Sequence, residues 1–417
     1  MPSTPPLAGS SEPAPLPLDG IRVVEFSHMV MGPTCAMILA DLGAEVIKVE
    51  PLAGDATRRL LGSGAGFFPV FNRNKKSLAV DVRDPRGREI VLRIVAGADV
   101  FSENFKPGAV DALGFGSEAL RTLNPRLIVV SHKGFLPGPY EHRTALDEVV
   151  QMMGGLAYMT GPEGRPLRAG SSVNDIMGGM FGAIGVLAAL QQRDHRERGT
   201  GQGQTVQSAL FENNVFLVAQ HMMQFAVTGQ PAAPMPSRVS AWGVYDVFTV
   251  LGGEQVFLAV VGDGQWAALC REFGFSDLGA DARLASNNDR VRARAWLMPL
   301  LRERLAGLRA AEIGARFERQ GLPYAPITRP EDLFDDPHLR ATGGLAPVTL
   351  PADASAAGRE IDTHVALLPI TLGGARLPLR GPPPALGEHT DTLLGELGYS
   401  GAEVAALRAA GVVGPPR

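Results

Sequence analysis

The sequence predicts an α/β protein with a large doubly wound, Rossmann-like parallel-sheet domain and a smaller α+β domain. In the first part of the chain, β-rich runs alternate with segments of helical length, which is the pattern of βαβ units. Further on the alternation stops, and a hairpin pattern is followed by helical segments. The 417 residues are 45% hydrophobic, which is enough to build two cores.

The β-rich runs are the predicted strands of the large sheet: Ile21–Phe26, Glu45–Glu50, Ser77–Asp81, Asp99–Ser102 and Leu127–Ser131. The helices predicted between them are Pro33–Leu42, Pro85–Ala96 and Ala109–Leu123. The first of these has a proline near its start and Gly43 at its end, which are common start and stop signals. Ligands of such sheets bind beyond the carboxyl ends of the strands, so we expect the functional residues in the loops that follow them.

Changes in composition predict the domain boundaries. The predicted parts are a disordered tail, the first part of the large domain, a linker with the small domain, and a return to the large domain, at residues 1–17, 18–227, 228–330 and 331–417. The first large-domain part ends in an apolar helix predicted from Val206 towards Ala226. In the small domain, Val244–Val250 and Val256–Val261 are predicted to form a hairpin.

Composition excludes several classes of protein. The formal net charge is -4, which argues against a nucleic-acid partner. The cysteines, Cys35 and Cys270, are far apart and lack a ligand pattern, so neither a disulfide framework nor a metal site is predicted. No signal peptide is recognised, and Ile176–Leu190 is too short and too rich in glycine for a membrane span. The sequence therefore predicts a cytoplasmic protein without a membrane partner.

Asp175 is the strongest candidate for a catalytic residue. It opens an apolar helix, Ile176–Leu190, that contains several glycines. The first turn of a helix offers unpaired N–H groups and a positive dipole end, which favour an ionised carboxylate. The glycines let another backbone or a ligand come close. A carboxylate held in this way is a possible nucleophile for acyl chemistry. The alternative is that Asp175 is an ordinary N-cap.

Basic residues near the strand ends are candidate ligands of an anionic cofactor. Arg73 and Lys75 stand just before a predicted strand, with Arg58 further upstream, and these residues could bind phosphates or could form a solvated face. His28 and Lys133 stand at the ends of two other strands. No GxGxxG motif follows the first strand, so a nicotinamide dinucleotide site is not predicted.

Many short motifs in one order resemble the family III CoA-transferases, also called the CaiB/BaiF family. The matching segments are Leu18–Phe26, Met31–Pro33, Asp41–Glu50, Gly54–Arg58, Asn72–Ser77, Glu103–Gly108, Asn124–Ile128, Thr200–Gln204, Leu386–Asp391 and Leu397–Tyr399. The likeness covers nearly everything from Leu18 to Val413. It implies a large α/β domain, a smaller domain inserted late in the chain, and an obligate homodimer whose subunits interlock.

The resemblance also implies an activity. In this family an aspartate in the position of Asp175 attacks an acyl-CoA thioester and carries CoA to a second carboxylic acid through anhydride and thioester intermediates. The implied partners are an acyl-CoA cosubstrate and a small acid, with no metal and no tightly bound cofactor. We expect a dicarboxylic acid, because His28, Lys133 and nearby arginines could pair with a second carboxylate. The alternative is an acid with an apolar chain, which Met29, Val30, Met31, Met152 and Met153 would suit equally well.

Further site residues follow from the resemblance, position by position. The residues implied to contact CoA or the acyl group are His28, Val30, Met31, Asn104, Phe105 and Lys133. Formyl-CoA transferase has glutamine in place of Val30, arginine in place of Ala112, and a glycine-rich loop where Ser237–Trp242 stands here. Transfer among acids larger than formate is therefore expected.

Two alternatives remain open from the sequence. The family includes α-methylacyl-CoA racemases, whose catalytic histidine would stand at Leu146, before Asp147. Leu146 disfavours that reaction because it cannot take a proton. The other alternative, an acyl-CoA-binding protein without turnover, is disfavoured by the presence of Asp175.

Overall fold

The computed structural model describes residues 15–238 and 240–414. The described residues up to Gln230 and those from His338 onwards form one compact unit, and Pro231–Pro337 form a second. The tail predicted at residues 1–17 lies outside the described residues, apart from its last three.

The first unit is built on a six-stranded sheet in which all neighbouring strands are parallel. Its strands are β1 (Arg22–Phe26), β2 (Glu45–Glu50), β3 (Lys75–Ala79), β4 (Val100–Glu103), β5 (Ile128–Lys133) and β6 (Thr205–Ala209). The order β3-β2-β1-β4-β5-β6 means that the chain winds outward in both directions from the centre. The predicted parallel α/β sheet is confirmed, and its topological switch point lies between β1 and β4.

The helices of this segment are α1 (Met31–Asp41), α2 (Phe67–Phe71), α3 (Pro85–Ala96), α4 (Ala109–Ala112), α5 (Ser117–Leu123), α6 (Asp147–Met153), α7 (Leu156–Thr160), α8 (Val173–Asp194) and α9 (Leu210–Thr228). Two sequence predictions are corrected. The helix predicted at Ala109–Leu123 is divided in two, because Gly114 adopts a φ of 85° that a helix cannot continue. The helix predicted from Val206 begins only at Leu210, because the residues before it pair with β5 as strand β6.

Successive strand residues point to opposite faces of the sheet, and each face has its own core. One core contains Val24, Ile47 and Phe101, and is joined by residues of α3 and of the C-terminal segment. The other contains Val23, Val46, Val100 and Ile128, together with residues of α1 and α8. The face that carries α1 and α8 is the one that positions the candidate site.

Helices α1 and α8 pack unusually closely because glycines line their contact. A Cβ atom at Gly179 would lie 2.5 Å from Cβ of Thr34 and 2.6 Å from the carbonyl oxygen of Met31. At Gly178, a Cβ atom would lie 2.4 Å from Cε of Met31. The glycines that the sequence placed after Asp175 thus bring the backbones of the two helices together.

Helix α8 is also the one described helix with the length and composition of a membrane span, at a mean hydropathy of 1.6 over its best window. The core helices of soluble proteins pass the same test. Here α8 packs against α1 and the sheet, and its Ala183, Val186 and Leu190 belong to the core. The packing gives α8 the surroundings of a core helix.

The second unit begins with an antiparallel hairpin, as predicted, whose strands are β7 (Val244–Thr249) and β8 (Gln255–Val260). The remaining elements of this unit are α10 (Asp263–Phe273), α11 (Ser276–Ala280), α12 (Asn287–Arg292), α13 (Arg294–Leu305), α14 (Ala310–Arg319) and β9 (Tyr324–Pro326). The C-terminal segment contains α15 (Pro337–Ala341), β10 (Leu345–Leu350), β11 (Ile361–Ala366), β12 (Thr371–Leu372), β13 (Ala375–Arg376), α16 (Thr390–Glu396) and α17 (Gly401–Ala409). Leu393 and Leu394 of α16 and Val404 of α17 complete the first core of the large sheet.

Candidate active site

Asp175 is the third residue of α8 and lies in its first turn. The N-cap is Ser172, whose side chain makes no capping hydrogen bond, so Asp175 is not the N-cap of its own helix. Its carboxylate stands at the positive end of a 22-residue helix, where negative charge is stabilised. The N-cap side chain therefore does not cap the first turn of α8, and backbone N–H groups of that turn donate to a partner residue on another helix.

That partner is Asp147, the first residue of α6. Its Oδ2 atom accepts hydrogen bonds from the backbone N–H groups of Asn174, at 2.8 Å, and of Asp175, at 3.2 Å. Its Oδ1 atom accepts one from the side chain of Gln151, whose own Oε1 accepts from the N–H of Ala169 at 2.8 Å. A single network therefore fixes the start of α8, helix α6 and the segment that leads into α8. Sequence reasoning missed Asp147 as a site residue, because the two aspartates are 28 residues apart.

The surroundings of Asp175 hold its carboxyl group partly protonated near neutral pH. Burial, and then the negative charges of Asp147 and Glu148, raise its pKa to about 7, while Arg168 has the opposite effect. A carboxylate that has lost most of its hydration is a better nucleophile than one in water. The residue that the sequence predicted as the nucleophile thus has a carboxyl group with a raised pKa.

The loops that follow β1 and β4 meet at the switch point of the sheet. Phe26 pairs with Glu103 in the register of the two strands, so the residues after them are neighbours. Oδ1 of Asn104 accepts from the backbone N–H of His28 at 3.0 Å, and its Nδ2 donates to the carbonyl of His28 at 2.6 Å. The rings of His28 and Phe105 lie 5.4 Å apart. Three of the predicted site residues are therefore brought together.

The loop after β1 is held in an unusual conformation. Met29 has a φ of 65°, a left-handed value that is uncommon for residues other than glycine. Val30 and Met31, which were predicted to line the site, are buried, and Val30 is the N-cap of α1. Met31 packs against α8 through Gly178. Strain of this kind persists only where the surrounding structure holds the backbone firmly.

Lys133 stands at the end of β5, and its Nζ atom donates to Oε1 of Glu103 at 2.7 Å and to the carbonyl of Phe105 at 2.9 Å. Its side chain is mostly buried. Lys133 therefore supports the loop that carries Asn104 and Phe105, and it lies next to these two predicted site residues.

The arginines predicted to bind phosphate are buried in ion pairs. Arg58 donates from Nε and Nη2 to the two carboxylate oxygens of Glu50, at 2.8 and 2.7 Å, and stacks on the ring of Phe68. Arg73 donates from Nη2 to Oδ2 of Asp41 at 2.6 Å. Each of these two arginines is about 2% exposed, so their placement indicates a structural role and does not favour contact with a ligand.

Lys75 is also buried, against expectation for a phosphate ligand. Its Nζ atom lies 2.8 Å from Oε2 of Glu25 and donates to the carbonyl of Pro33 at 3.1 Å. Burial lowers the pKa of Lys75 to about 8, while Glu25 raises it. Lys48, the other buried lysine beside Glu25, donates to the carbonyl of Ser27 at 2.8 Å. The two lysines thus hold the start of the strained loop, at Ser27, and the first turn of α1 that follows it, at Pro33.

An apolar cavity opens beside Phe105 at the carboxyl ends of β1, β2 and β3. Its volume is about 470 Å³. The residues that line it are Phe26, Val49, Glu50, Pro51, Leu52, Ala53, Val80, Asp81, Val82, Arg83, Phe105 and Leu113. The side chain of Arg83 is 81% exposed, in contrast to the arginines predicted from the sequence. Sequence reasoning missed Arg83, although it follows a predicted strand end.

No group of three or more histidine, cysteine, aspartate or glutamate side chains stands ready to hold a metal ion in the part of the chain that the structure describes. Cys35 and Cys270 are both buried, and they belong to different units.

Several known proteins are similar to this chain over most of its length. Residues 18–390 match CoA-transferase family III. The chain is 34% identical to a formyl-CoA:oxalate CoA-transferase of Rhodopseudomonas palustris, over 96% of this chain and 98% of that enzyme. It is 33% identical to a succinate–glutarate CoA-transferase of Agrobacterium fabrum, over 91% of this chain and 96% of that enzyme. A solved structure of a CaiB/BaiF family protein from Brucella suis matches with a TM-score of 0.81 at 34% identity, covering 92% of this chain and all of that one.

The fold and the motifs define an enzyme that moves CoA between carboxylic acids. The chain belongs to CoA-transferase family III, as its sequence motifs predicted, and CoA thioesters are its cosubstrates.

Proposed function

We propose that this enzyme transfers CoA from an acyl-CoA to a dicarboxylic acid through covalent intermediates on Asp175. The carboxylate oxygen attacks the thioester carbonyl, the C–S bond breaks, and an aspartyl anhydride and CoA thiolate form. The thiolate then attacks the aspartyl carbonyl, which releases the first acid and leaves an aspartyl-CoA thioester. The acceptor carboxylate repeats the two steps in reverse, which forms the product thioester and restores Asp175.

The observation that carries this proposal is the placement of Asp175 in the first turn of α8, with its backbone held by Asp147. The two-step exchange avoids a direct displacement between two carboxylates, and thiolate is a good leaving group because thiols have a pKa of roughly 8.5. The raised pKa of Asp175 supports the role, since it marks a carboxylate with little hydration. The N–H groups of His28, Asn174 and Asp175 already donate to Asn104 and Asp147, so the donors for the oxyanions are expected among the other backbone N–H groups of the loop after β1.

The cavity beside Phe105 is the proposed site for the nucleotide part of CoA. Its lining is largely apolar, which suits an adenine ring, and exposed Arg83 supplies a cation for the phosphates. The His28 loop, with Asn104, would then lie along the chain that leads from the nucleotide to the thioester. Arg58, Arg73 and Lys75 are not needed as phosphate ligands in this arrangement.

The names of the relatives support a small acid as acceptor. One is a formyl-CoA:oxalate CoA-transferase and another a succinate–glutarate CoA-transferase. Both acceptors named there carry two carboxylates. Leu146, which is 60% exposed beside Asp147, offers no base for α-proton removal, so we expect no racemase activity. Incubation of an acyl-CoA with the enzyme in D₂O, followed by mass spectrometry, would reveal α-deuterium if that expectation is wrong.

A homodimer is also proposed. Helices α8 and α9 leave many large apolar side chains exposed, namely Met180, Ile184, Phe216, Met222, Met223, Phe225 and Val227. A surface of this kind on a single chain marks an interface. Sedimentation equilibrium would test the dimer, and a cytoplasmic location remains part of the proposal.

The decisive experiment is the intact mass of the enzyme after mixing with a panel of acyl-CoAs and quenching in acid. We expect a CoA-sized or acyl-sized adduct that maps to Asp175 and disappears with hydroxylamine. The Asp175→Asn variant should give no adduct, whereas the control Glu148→Gln, on the neighbouring helix α6, should keep it. An adduct that persists in Asp175→Asn would refute the mechanism.

A further inference from the structure

Arg168 lies on the segment that leads into α8, close to the proposed nucleophile Asp175, and forms an ion pair there. Arg168 donates from Nε to the carbonyl of Ala169 at 3.1 Å, and from Nη1 to Oε1 of Glu148 on α6. The side chains of Arg168 and Glu148 are 40% and 48% exposed, so solvent and ligands can reach the pair.

The position of this arginine is tied to that of Asp175. The N–H of Ala169, the next residue, donates to Gln151 at 2.8 Å. Gln151 donates in turn to Asp147, which accepts from the N–H of Asp175. A continuous set of hydrogen bonds thus links the backbone at the guanidinium to the backbone at the nucleophile.

More negative than positive charge surrounds Asp175. Among the described residues whose charges act on Asp175, Asp147 and Glu148 are negative and Arg168 is positive. An acceptor with two carboxylates must bring one of them to the site as the nucleophile for the second half of the exchange. The other would meet repulsion from Glu148 unless a cation receives it.

We propose that Arg168 binds the distal carboxylate of a dicarboxylic acceptor, which takes the place that the Glu148 carboxylate occupies in this structure. This inference rests on the proposed function of Asp175. A guanidinium can bind a carboxylate through two parallel N–H···O bonds, and Glu148 already presents that chemical group to it. Exchange costs little, because a half-exposed ion pair contributes little to stability.

Other cations near the site are already committed to the protein. Lys133 is held by Glu103 and the carbonyl of Phe105, and Arg58 by Glu50. Both are largely buried. Arg168 differs from them because its carboxylate partner is itself exposed. It is therefore the specificity-determining residue that we assign to the acceptor site.

The test compares two acceptors of equal length, glutarate and pentanoate, at a saturating and constant concentration of one acyl-CoA donor. The variants are Arg168→Met, Arg168→Lys and the control Arg165→Met, which changes an exposed arginine on the same segment. At pH 9, where Asp175 stays ionised even without Arg168, we expect Arg168→Met to raise KM for glutarate about ten-fold to hundred-fold, with kcat and the pentanoate kinetics changed less than two-fold. Arg168→Lys should fall between, because it keeps the charge but not the paired donors. Arg165→Met should behave as wild type.

A further variant, Glu148→Gln, tests the exchange itself. Removal of the competing carboxylate should lower KM for glutarate by a few-fold. Equal kcat/KM for the two acceptors in the wild type, an equal loss for both in Arg168→Met, or no loss at all would each overturn the proposal. If Arg168→Met does not fold, Arg168→Lys and Glu148→Gln carry the same comparison.

The adduct on Asp175 separates this inference from the one on which it rests. If the donor forms no adduct in the wild-type enzyme, the proposed mechanism fails. If the adduct forms equally in wild type and Arg168→Met while glutarate selectivity is unchanged, only the role of Arg168 fails.

Discussion

Oδ2 of Asp147 accepts the backbone N–H of Asp175 at 3.2 Å, so one carboxylate caps the helix that presents another. The contact has two opposing effects. It satisfies N–H groups at the start of α8 and fixes the backbone of Asp175. It also places a negative charge near a second carboxyl group, which disfavours ionisation of that group. Asp147 thus positions the backbone of Asp175 and adds to the effect of burial in raising the pKa of its carboxyl group.

The rate of acyl transfer should therefore depend on pH near neutrality. In the proposed mechanism only the ionised form of Asp175 attacks, and the pKa of this group is raised to about 7. We expect kcat/KM to rise with pH and to level off above about pH 8. Asp147→Asn keeps an acceptor for the N–H groups but removes the charge, so the midpoint should move to lower pH. A midpoint unchanged in Asp147→Asn would contradict the electrostatic role of Asp147.

Removal of the Asp175 carboxylate should stabilise the fold above neutral pH. The pKa of the folded protein, about 7, lies above the value of roughly 3.9 in an unfolded chain. The contribution of this group to stability is therefore full below pH 4 and is lost as the pH rises to 7. Asp175→Asn has no such loss, so we expect it to be more stable than wild type by about 1–3 kcal/mol at pH 8. Urea unfolding at pH 4.5 and pH 8 measures this, and a gain that is larger at pH 4.5 would show that the sign is wrong.

The close contact between α1 and α8 predicts that one methyl group added at Gly179 destabilises the protein. A Cβ atom at Gly179 would meet Thr34 and the backbone of Met31 at 2.5–2.6 Å. Gly179→Ala should lower the free energy of unfolding by about 1–3 kcal/mol and reduce kcat, because the helices must move apart. Gly395→Ala is the matched control, since a Cβ atom there meets nothing within 4 Å. We expect that variant to gain up to about 1 kcal/mol and to keep full activity. Equal melting temperatures for both variants would contradict the packing argument.

Lys75 is a buried cation with a structural role, whereas its neighbour Lys76 is closer to the surface. Substitution of the two lysines should therefore change stability by different amounts. Lys75→Met leaves the buried carboxylate of Glu25 undercompensated, so we expect a loss of about 3–5 kcal/mol. Lys76 pairs with Glu45 at a half-exposed site, and Lys76→Met should cost no more than about 1 kcal/mol. Chemical unfolding of both variants makes the comparison. If the Lys75→Met protein had normal stability but bound CoA more weakly, the result would instead support the phosphate contact expected from the sequence.

The sequence was sufficient for the parts of the molecule that depend on order along the chain. Alternating strands and helices predicted the parallel sheet, and the rule that ligands bind beyond strand ends directed attention to His28 and Asn104. The structure brings these two residues together because β1 and β4 are neighbours at the switch point. A helix beginning near Asp175 was also recognisable from the glycines and apolar residues that follow it, although α8 begins two residues earlier, at Val173.

The remaining features depend on pairing between distant residues. The basic turn that contains Arg73 looked like a ligand site because its acidic partner, Asp41, lies 32 residues earlier. Strand β6 was read as the start of a helix, because it is short, partly exposed and continues directly into α9. Asp147 was considered only as a neighbour of Leu146, since nothing local indicates that it caps a helix elsewhere.

The glycine-lined contact between α1 and α8 also limits how this enzyme can move during turnover. Met31 begins the helix that follows the His28 loop, and it touches α8 one turn beyond Asn174. With so little space between the two backbones, His28 and Asp175 belong to a single rigid element, and a hinge between them would have to break that contact. Any movement that admits substrates or releases an acid must therefore occur in the residues around this rigid element. Within the large domain, the exposed residues 162–166, which precede the hydrogen bonds of Leu167 and Ala169, are where such motion is expected.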